Sequence, residues 1–252
     1  MLKLIICDWN RTLFTDYYEE TFFKGIFQKV FLRSLKNIQL LKAIRLLKTS
    51  KKIKDLFRLA KEGKNQEKLG CIKEILGLLN KNITQELHAD FLESYAQDYA
   101  DRAGNRLDRR ILNPLRDIQE KYGIKLGIIS SGYSKGIKYT LEKNGYKFDF
   151  IVANDFIIGS DKVVSFELKI LDNKEGVLKE ILLLNRMSSD EVMYIGDDLL
   201  DKNCLAMVRF PMVSFLASDE NKKIFSEKAN IFMPKSEEDM QAYLNMVIES
   251  NN

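Results

Sequence analysis

Three short apolar runs, each followed at once by small or acidic polar residues, constrain the fold of this chain more than any other feature. The runs and the residues after them are 4–7 before Asp8, 126–129 before Ser130, and 192–195 before Gly196 and Asp197. Runs this short and this apolar are typical of strands that are buried in a parallel sheet. Helical patterns at 135–144 and 174–184 lie between the later strands. Alternating strands and helices predict an α/β fold, a Rossmann-like parallel sheet with helices on both faces.

A long stretch without strand patterns separates the first run from the second. Its apolar residues recur every three or four positions, beginning with Phe23, Phe27 and Val30, which is typical of amphipathic helices. We therefore expect an inserted all-helical domain. The predicted domains are a core at 1–16 and 108–252 and a helical cap at 17–107.

Cap and turn residues divide the second part of the chain. Asn113 followed by Pro114 predicts a helix that begins there, and Gly123 predicts its end. Residues 159–162 (Gly-Ser-Asp-Lys) lie between two apolar runs and predict a β-hairpin. The remaining predicted elements are short strands near Val213 and Ile231 and a final helix from about Ser236.

The net charge of +4 is unevenly distributed, because residues 24–73 contain 15 Lys and Arg but 3 Asp and Glu. Such an excess is typical of a solvated lysine-rich face or of a surface for an anionic partner. Since residues 40–59 are also amphipathic, binding to a membrane surface is an alternative, and nucleic acid is a less favoured partner. The sequence carries no signal for an oligomeric state.

The scarcity of histidine and cysteine excludes several kinds of chemistry. His88 is the one histidine, so a Ser-His-Asp triad is not expected. The three cysteines are too scattered for a disulfide framework or a zinc site. No run approaches the roughly 18 apolar residues of a membrane span, and the first run is too short for a signal peptide. We expect a cytoplasmic protein without a membrane span.

Polar residues of a consistent kind follow the three buried runs. They are Asp8 with Asn10 and Thr12, then Ser130, Ser131 and Gly132, and finally Asp197, Asp198 and Asp201. The carboxyl ends of parallel strands meet at one edge of a sheet, where ligands bind. Clustered carboxylates repel one another, and a hard cation such as Mg²⁺ removes that cost. Lys174 begins a predicted helix and is expected at the same edge, which indicates a phosphate-handling site.

These residues, in this order, resemble the four motifs of the haloacid dehalogenase-like superfamily. The matching segments are 8–13 (Asp-Trp-Asn-Arg-Thr-Leu), Ser130, Lys174 and 196–201 (Gly-Asp-Asp-Leu-Leu-Asp). The helical segment follows the first motif, where this family places its helical cap. Residues 130–133 (Ser-Ser-Gly-Tyr) are similar to the phosphoserine-phosphatase-like branch. Each motif is weak by itself, and the four in order, each at the end of an element, are a strong signal.

The resemblance implies a Mg²⁺-dependent phosphatase that acts on a small phosphorylated metabolite. Asp8 would be the nucleophile that forms an aspartyl-phosphate. The implied catalytic residues are Asp8, Asn10, Thr12, Ser130 and Lys174. The implied phosphate- or substrate-binding residues are Ser130, Ser131, Gly132, Lys174 and Arg11. The implied magnesium ligands are Asp8, the backbone carbonyl of Asn10, Asp197, and Asp198 or Asp201.

Asn10 departs from the family pattern, because the phosphatases usually have an aspartate there as general acid and base. An amide cannot exchange that proton, and such a group contributes about 10²–10⁴-fold to the rate. The enzyme would be slow, would prefer good leaving groups, or would use a substitute such as Asp16. The alternatives are a weak or inactive module that binds a phosphorylated ligand, and a basic protein that binds nucleic acid or a membrane surface.

Overall fold

A six-stranded sheet lies at the centre of the protein. The computed structural model describes residues 1–62, 65–170, 173–227 and 230–249. The strands are β1 (Leu4–Cys7), β2 (Lys125–Tyr133), β3 (Phe150–Ile158), β4 (Val163–Glu167), β5 (Val192–Gly196) and β6 (Phe210–Val213). Their order is β4-β3-β2-β1-β5-β6, and each neighbouring pair is parallel except β3 and β4.

Helices surround the sheet and fill the segment between β1 and β2. They are α1 (Tyr18–Lys36), α2 (Leu40–Glu62), α3 (Asn65–Asn82), α4 (Ala89–Ala103), α5 (Arg109–Tyr122), α6 (Ser134–Lys143), α7 (Lys174–Asn185), α8 (Lys202–Met207), α9 (Asp219–Ser226) and α10 (Glu237–Glu249). The predicted α/β fold with a largely parallel sheet is confirmed.

Strand β1 forms the middle of the sheet because all four of its side chains are apolar and fully buried. Its last residue, Cys7, pairs with Ile128 of β2 on one side and with Ile195 of β5 on the other. Cys7, Ile128 and Ile195 therefore lie side by side across the three strands, and β2 continues beyond them to Tyr133. The residues that follow them meet along one edge.

Helices α1 to α4, which we call the helical insert, pack against one another and against the core. Helix α2 packs against α1 and α3, and α4 packs against α6. Aromatic rings join the insert to the sheet, since the ring of Phe22 lies 5.3 Å from Tyr18 and 5.5 Å from Tyr133, centroid to centroid. This continuous apolar packing holds the first turn of α1 beside the end of β1.

One predicted helix boundary and one predicted strand are wrong. Helix α5 begins at Arg109 rather than at Pro114, because the Asp108 carboxylate accepts a hydrogen bond from the Arg110 backbone N–H and caps the helix. Pro114 is a buried residue inside that helix. Near Ile231 the chain makes a single bridge, Phe232 with Met212, instead of a strand. The β3–β4 hairpin and the final helix agree with the sequence.

The outer face of α2 is exposed and combines apolar with basic residues. Leu41, Ile44 and Leu47 are each at least half exposed, and Lys48 and Lys51 lie beside them on the exposed surface. Among the described residues, no helix is both long enough and apolar enough to cross a bilayer.

Candidate active site

Asp8 lies directly after β1, at the carboxyl edge of the sheet. Its backbone N–H donates to the Ile195 carbonyl at 2.8 Å, which extends the β1–β5 ladder by one residue. Trp9 then turns inward, where it is fully buried and stacks on Phe14 with a centroid distance of 5.3 Å. Its carbonyl accepts hydrogen bonds from the backbone N–H groups of Leu13 and Phe14, so the chain turns back tightly. This turn leaves the Asp8 carboxylate at the edge, almost fully buried.

Lys174, the first residue of α7, forms two buried ion pairs at this edge. Its Nζ lies 2.8 Å from Asp8 Oδ1 and 2.7 Å from Asp201 Oδ1. Burial acts to lower the pKa of Lys174, but attraction by Asp201 and Asp8 outweighs it and raises that pKa well above its usual value. The ammonium group therefore stays charged and fixes the position of the Asp8 side chain.

Asp201 is fully buried, and both of its oxygens are occupied by donors. Oδ1 accepts from Lys174 and, at 2.9 Å, from the Tyr194 hydroxyl. Oδ2 accepts from the backbone N–H groups of Asp197 at 3.2 Å and Asp198 at 3.4 Å. A carboxylate offers about four lone pairs, so Asp201 has little capacity left for a further ligand. It positions the lysine and the loop after β5.

Gly196 permits this arrangement. A Cβ atom at this residue would lie 2.6 Å from both Cβ and Cγ of Asp201, closer than carbon atoms can approach. A larger residue at the end of β5 would therefore displace the Asp201 carboxylate from its donors.

Asp197 extends into the same buried space from the end of β5. Its Oδ1 lies 3.5 Å from the Thr12 hydroxyl and its Oδ2 lies 3.8 Å from Nε of Arg11. Burial, followed by repulsion from Asp198 and Asp8, raises the pKa of Asp197 well above its usual value. Its negative charge is therefore poorly compensated by the protein.

The pKa of Asp8 is raised for the same reasons as that of Asp197. Burial raises the pKa of Asp8 to about 7, with Lys174 opposing the rise and repulsion from Asp201 adding to it. Oxygen atoms of Asp8, Asp197 and Asp201 lie within 4.8 Å of one another. Among the described residues, Lys174 is the buried cation that faces these three acids. The set fits a hard divalent cation, which prefers oxygen ligands and would balance the remaining charge.

Ser130, Ser131 and Gly132, three other predicted phosphate-binding residues, lie in the last part of β2. Ser130 is fully buried, and its hydroxyl accepts from the Gly132 backbone N–H at 3.0 Å. The register of β2 against β3 shifts after Ser130, so Ser131 faces the site. The Ser131 hydroxyl donates to Glu19 Oε1 at 2.6 Å. Arg11 lies at the margin, where its guanidinium donates to the Leu216 carbonyl at 2.6 Å.

Glu19, in the first turn of α1, is a site residue that the sequence analysis missed. Its Oε2 accepts from the side-chain amide of Asn10 at 2.7 Å. The amide oxygen of Asn10 accepts in turn from the Tyr18 backbone N–H at 2.8 Å. Asp16, the predicted substitute for the missing acid, points elsewhere and forms an exposed ion pair with Arg106 at 2.7 Å.

A cavity lies between this sheet edge and the helical insert. The core contributes mainly polar lining residues, namely Asp8, Asn10, Ser131, Asn154, Lys174, Asp197 and Asp198 together with Leu200. The insert contributes the apolar residues Phe23, Phe57, Ala60, Ile72, Ile75 and Leu76. Tyr17 and Glu19 lie where the two sides meet. The cavity therefore has a charged floor and an apolar roof.

Comparison by sequence finds no matching protein-family model and no matching curated protein. Solved structures do match. Phosphoserine phosphatase in its apo form is 16% identical, with 92% of this chain and 94% of that chain covered and a TM-score of 0.56. A phosphoserine phosphohydrolase-like protein from Francisella tularensis subsp. tularensis SCHU S4 is 16% identical, with 96% and 99% covered and a TM-score of 0.63.

A third match is cytosolic 5'-nucleotidase IIIB bound to cytidine. It is 14% identical, with 98% of this chain and 86% of that chain covered and a TM-score of 0.63. These matches extend over almost the whole chain, including the helical insert. The fold that the four sequence motifs indicated is confirmed: the chain has the haloacid dehalogenase-like fold.

Proposed function

We propose that this protein is a Mg²⁺-dependent phosphatase that hydrolyses a phosphate monoester through a phosphorylated Asp8. The observation that carries the proposal is the buried set of Asp8, Lys174, Asp197 and Asp201 at one edge of the sheet. Such a set, with more acid than base, suits a dianionic phosphate only when a cation is present. The helical insert, predicted at 17–107, is the cap of this site.

Asp8 is the proposed nucleophile. One of its carboxylate oxygens attacks phosphorus, and the ester oxygen leaves with the bonding electrons. Water then attacks the phosphorus of the aspartyl-phosphate, which releases inorganic phosphate and restores the carboxylate. The ion pair with Lys174 keeps the carboxylate oriented and opposes the rise in its pKa.

Lys174 neutralises charge on the phosphoryl group. Mg²⁺, when bound, supplies electrostatic stabilisation of the transferring phosphoryl oxygens. Asp8 and Asp197 are the proposed ligands, because among the described residues only long contacts to Thr12 and Arg11 engage the Asp197 oxygens. Asp198 and the Asn10 backbone carbonyl are the further proposed ligands. Asp201 is a positioning residue, because its own oxygens are engaged by Lys174 and other donors.

Glu19 is the proposed substitute for the general acid and base that Asn10 cannot provide. It lines the same cavity as Asp8, and hydrogen bonds from Asn10 and Ser131 hold it there. A protonated carboxyl group in this place can donate its proton to the leaving oxygen. The resulting carboxylate can then take a proton from the attacking water, which restores the acid. Ser131, which lines the cavity, is the proposed contact for the phosphoryl oxygens. The predicted contact from Gly132 is less favoured, because its N–H already donates to the Ser130 hydroxyl.

The direct test is turnover of acetyl phosphate and p-nitrophenyl phosphate with and without Mg²⁺. We expect hydrolysis that EDTA abolishes and that Asp8→Asn lowers at least a thousandfold. Asp16→Asn is the matched control, because Asp16 is exposed and outside the cavity. Turnover that survives both EDTA and Asp8→Asn would contradict the proposal.

A second candidate function follows from Asn10. Residue 10 is an asparagine, so the site has no carboxylic acid where the family's phosphatases have one. Hydrogen bonds with Tyr18 and Glu19 hold its amide in place. If Glu19 does not replace the missing acid, the protein is a module that binds a phosphorylated ligand. Binding of phosphate analogues with Mg²⁺, in the absence of turnover on any phosphate ester, would identify that function.

A further inference from the structure

The roof of the cavity differs in chemistry from its charged floor, and it bears on the part of a substrate that lies beyond the phosphate. Helices α2 and α3 lie side by side, and the residues they direct into the cavity are Phe57, Ala60, Ile72, Ile75 and Leu76. Helix α1 adds Phe23. Every one of these side chains consists of carbon and hydrogen alone. They form most of the lining that the insert offers to the part of a substrate beyond its phosphate.

Among the insert residues whose side chains the structure describes, which leave out 61–66 and 68, no cation lines this roof. Among the described lining residues, Lys174 is the one cation, and Asp8 and Asp201 already pair with it. The exposed lysines of α2, such as Lys48 and Lys51, are on the opposite surface of the helix from Phe57 and Ala60 in its burial pattern. An anionic leaving group therefore finds no opposite charge among the described roof residues.

Polar leaving groups fit poorly for the same reason. The carboxylate of a phosphorylated amino acid, or the hydroxyl groups of a sugar phosphate, would lose water without gaining a partner at Ile75 or Leu76. Each such unpaired group weakens binding by about tenfold or more. An apolar chain gains affinity instead, by up to about fourfold for each buried CH₂ group.

Building on the proposed phosphatase, we infer that its substrate is the phosphate monoester of an apolar alcohol or phenol. The phosphate lies on the floor beside Asp8 and Lys174, and the hydrocarbon part lies under Phe57, Ile75 and Leu76. Hydrolysis forms the free alcohol and inorganic phosphate. The helical insert thus selects substrates by hydrophobic contact rather than by charge.

Calorimetric titration with phosphonates, which are not hydrolysed, tests this inference in the presence of Mg²⁺. The ligands are methylphosphonate, hexylphosphonate, and a phosphonate of similar length that carries an amino and a carboxylate group. We expect hexylphosphonate to bind at least about thirtyfold more tightly than methylphosphonate. We also expect it to bind more tightly than the amino-acid phosphonate.

Two variants on α2 test whether the roof causes the preference for hexylphosphonate. Phe57→Ala should lower the ratio of hexyl to methyl affinity about fivefold or more, because it removes part of the roof. Leu47→Ala should leave that ratio unchanged, since Leu47 is exposed and does not line the cavity. The ratio is measured within one protein, so a partial loss of folded protein does not alter it.

The outcomes separate this inference from the proposed function. Equal or weaker binding of hexylphosphonate, or preference for the amino-acid phosphonate, would overturn the inference even if acetyl phosphate is hydrolysed. Preference for hexylphosphonate without turnover of any ester would support the apolar site and refute the phosphatase. Turnover of hexyl phosphate in solution or of phosphatidic acid in vesicles would support the inference and distinguish a free source from a membrane source.

Discussion

The side-chain amide of Asn10 donates a 2.7 Å hydrogen bond to Oε2 of Glu19. This contact joins the residue that departs from the family pattern to a carboxylate on a different element, the first turn of α1. The Ser131 hydroxyl holds the other oxygen of Glu19. The acid that is missing at position 10 therefore has a neighbour of the required chemistry within the same cavity.

Glu19→Gln should lower turnover of alkyl phosphates by about 10²–10⁴-fold, because it removes the proposed proton-transfer group. With p-nitrophenyl phosphate, whose leaving group needs no proton, rapid mixing should still show a burst of one equivalent of p-nitrophenolate. Slow release of phosphate follows, since the water attack lacks its base. Glu20→Gln, one residue further along α1 and outside the cavity, is the control. Unchanged turnover in Glu19→Gln would exclude the role.

Asn10→Asp should raise turnover of alkyl phosphates, most strongly below neutral pH. The new carboxylate would lie about as far from Glu19 as the Asn10 amide does now. Two carboxylates at so short a distance share one proton, because both cannot be ionised without strong repulsion. The pair would then contain an acid that can protonate the leaving oxygen. The pH–rate profiles of the wild type and the variant measure this effect, and an equal or lower rate at every pH would contradict it.

Lys174→Met should destabilise the metal-free protein by about 3–5 kcal/mol, because it leaves Asp8 and Asp201 buried without their cation. Lys179→Met, in the same helix, removes an exposed pair with Glu175 and should cost at most about 1 kcal/mol. Urea denaturation with EDTA present measures both free energies of unfolding. A loss below about 1 kcal/mol for Lys174→Met would show that the buried pairs are not stabilising.

The stability of the metal-free protein should fall as the pH rises from about 4 to about 7. Burial raises the pKa of Asp8 from 3.8 in the unfolded chain to about 7 in the folded protein. The folded state therefore binds this proton more tightly, and its contribution is complete below pH 4 and lost above pH 7. For one carboxyl the change is about 4 kcal/mol.

Mg²⁺ should reverse this loss. Its stabilising effect, measured as a shift in Tm, should be large at pH 7.5 and small at pH 5, because a protonated carboxyl is a poor ligand. A Tm shift that is independent of pH, or absent at pH 7.5, would show that the cation does not bind to these acids.

The meeting of Asp8, Ser130 and Asp197 at one edge could be predicted from the sequence, because each follows a short apolar run and parallel strands align such ends. The resemblance to known motifs drew attention to Lys174 and Asp201 as well. That they pair with each other could not be predicted, since this contact joins the start of α7 to the loop after β5 through tertiary packing.

The role of Glu19 and the apolar roof of the cavity could not be predicted from the sequence. Glu19 is one of two acids in the first turn of α1, where acids are common because they favour the helix dipole. The apolar roof of the cavity could not be predicted from the sequence for a related reason. Phe57 and Ile75 have the spacing of ordinary core positions, and the basic residues around them suggested a solvated face or a surface for an anionic partner. The faces that α2 and α3 turn toward the site depend on how the insert packs on the core.

The central claim is that Asp8 accepts a phosphoryl group with the help of Mg²⁺. A crystal structure of the protein with Mg²⁺ and beryllium fluoride, which mimics a phosphoryl group on aspartate, tests it most directly. We expect fluoroberyllate bonded to the Asp8 carboxylate and a magnesium ion shared by Asp8 and Asp197. A structure in which Asp8 carries no adduct, while Lys174 remains its partner and no ion lies between the two acids, would contradict the account.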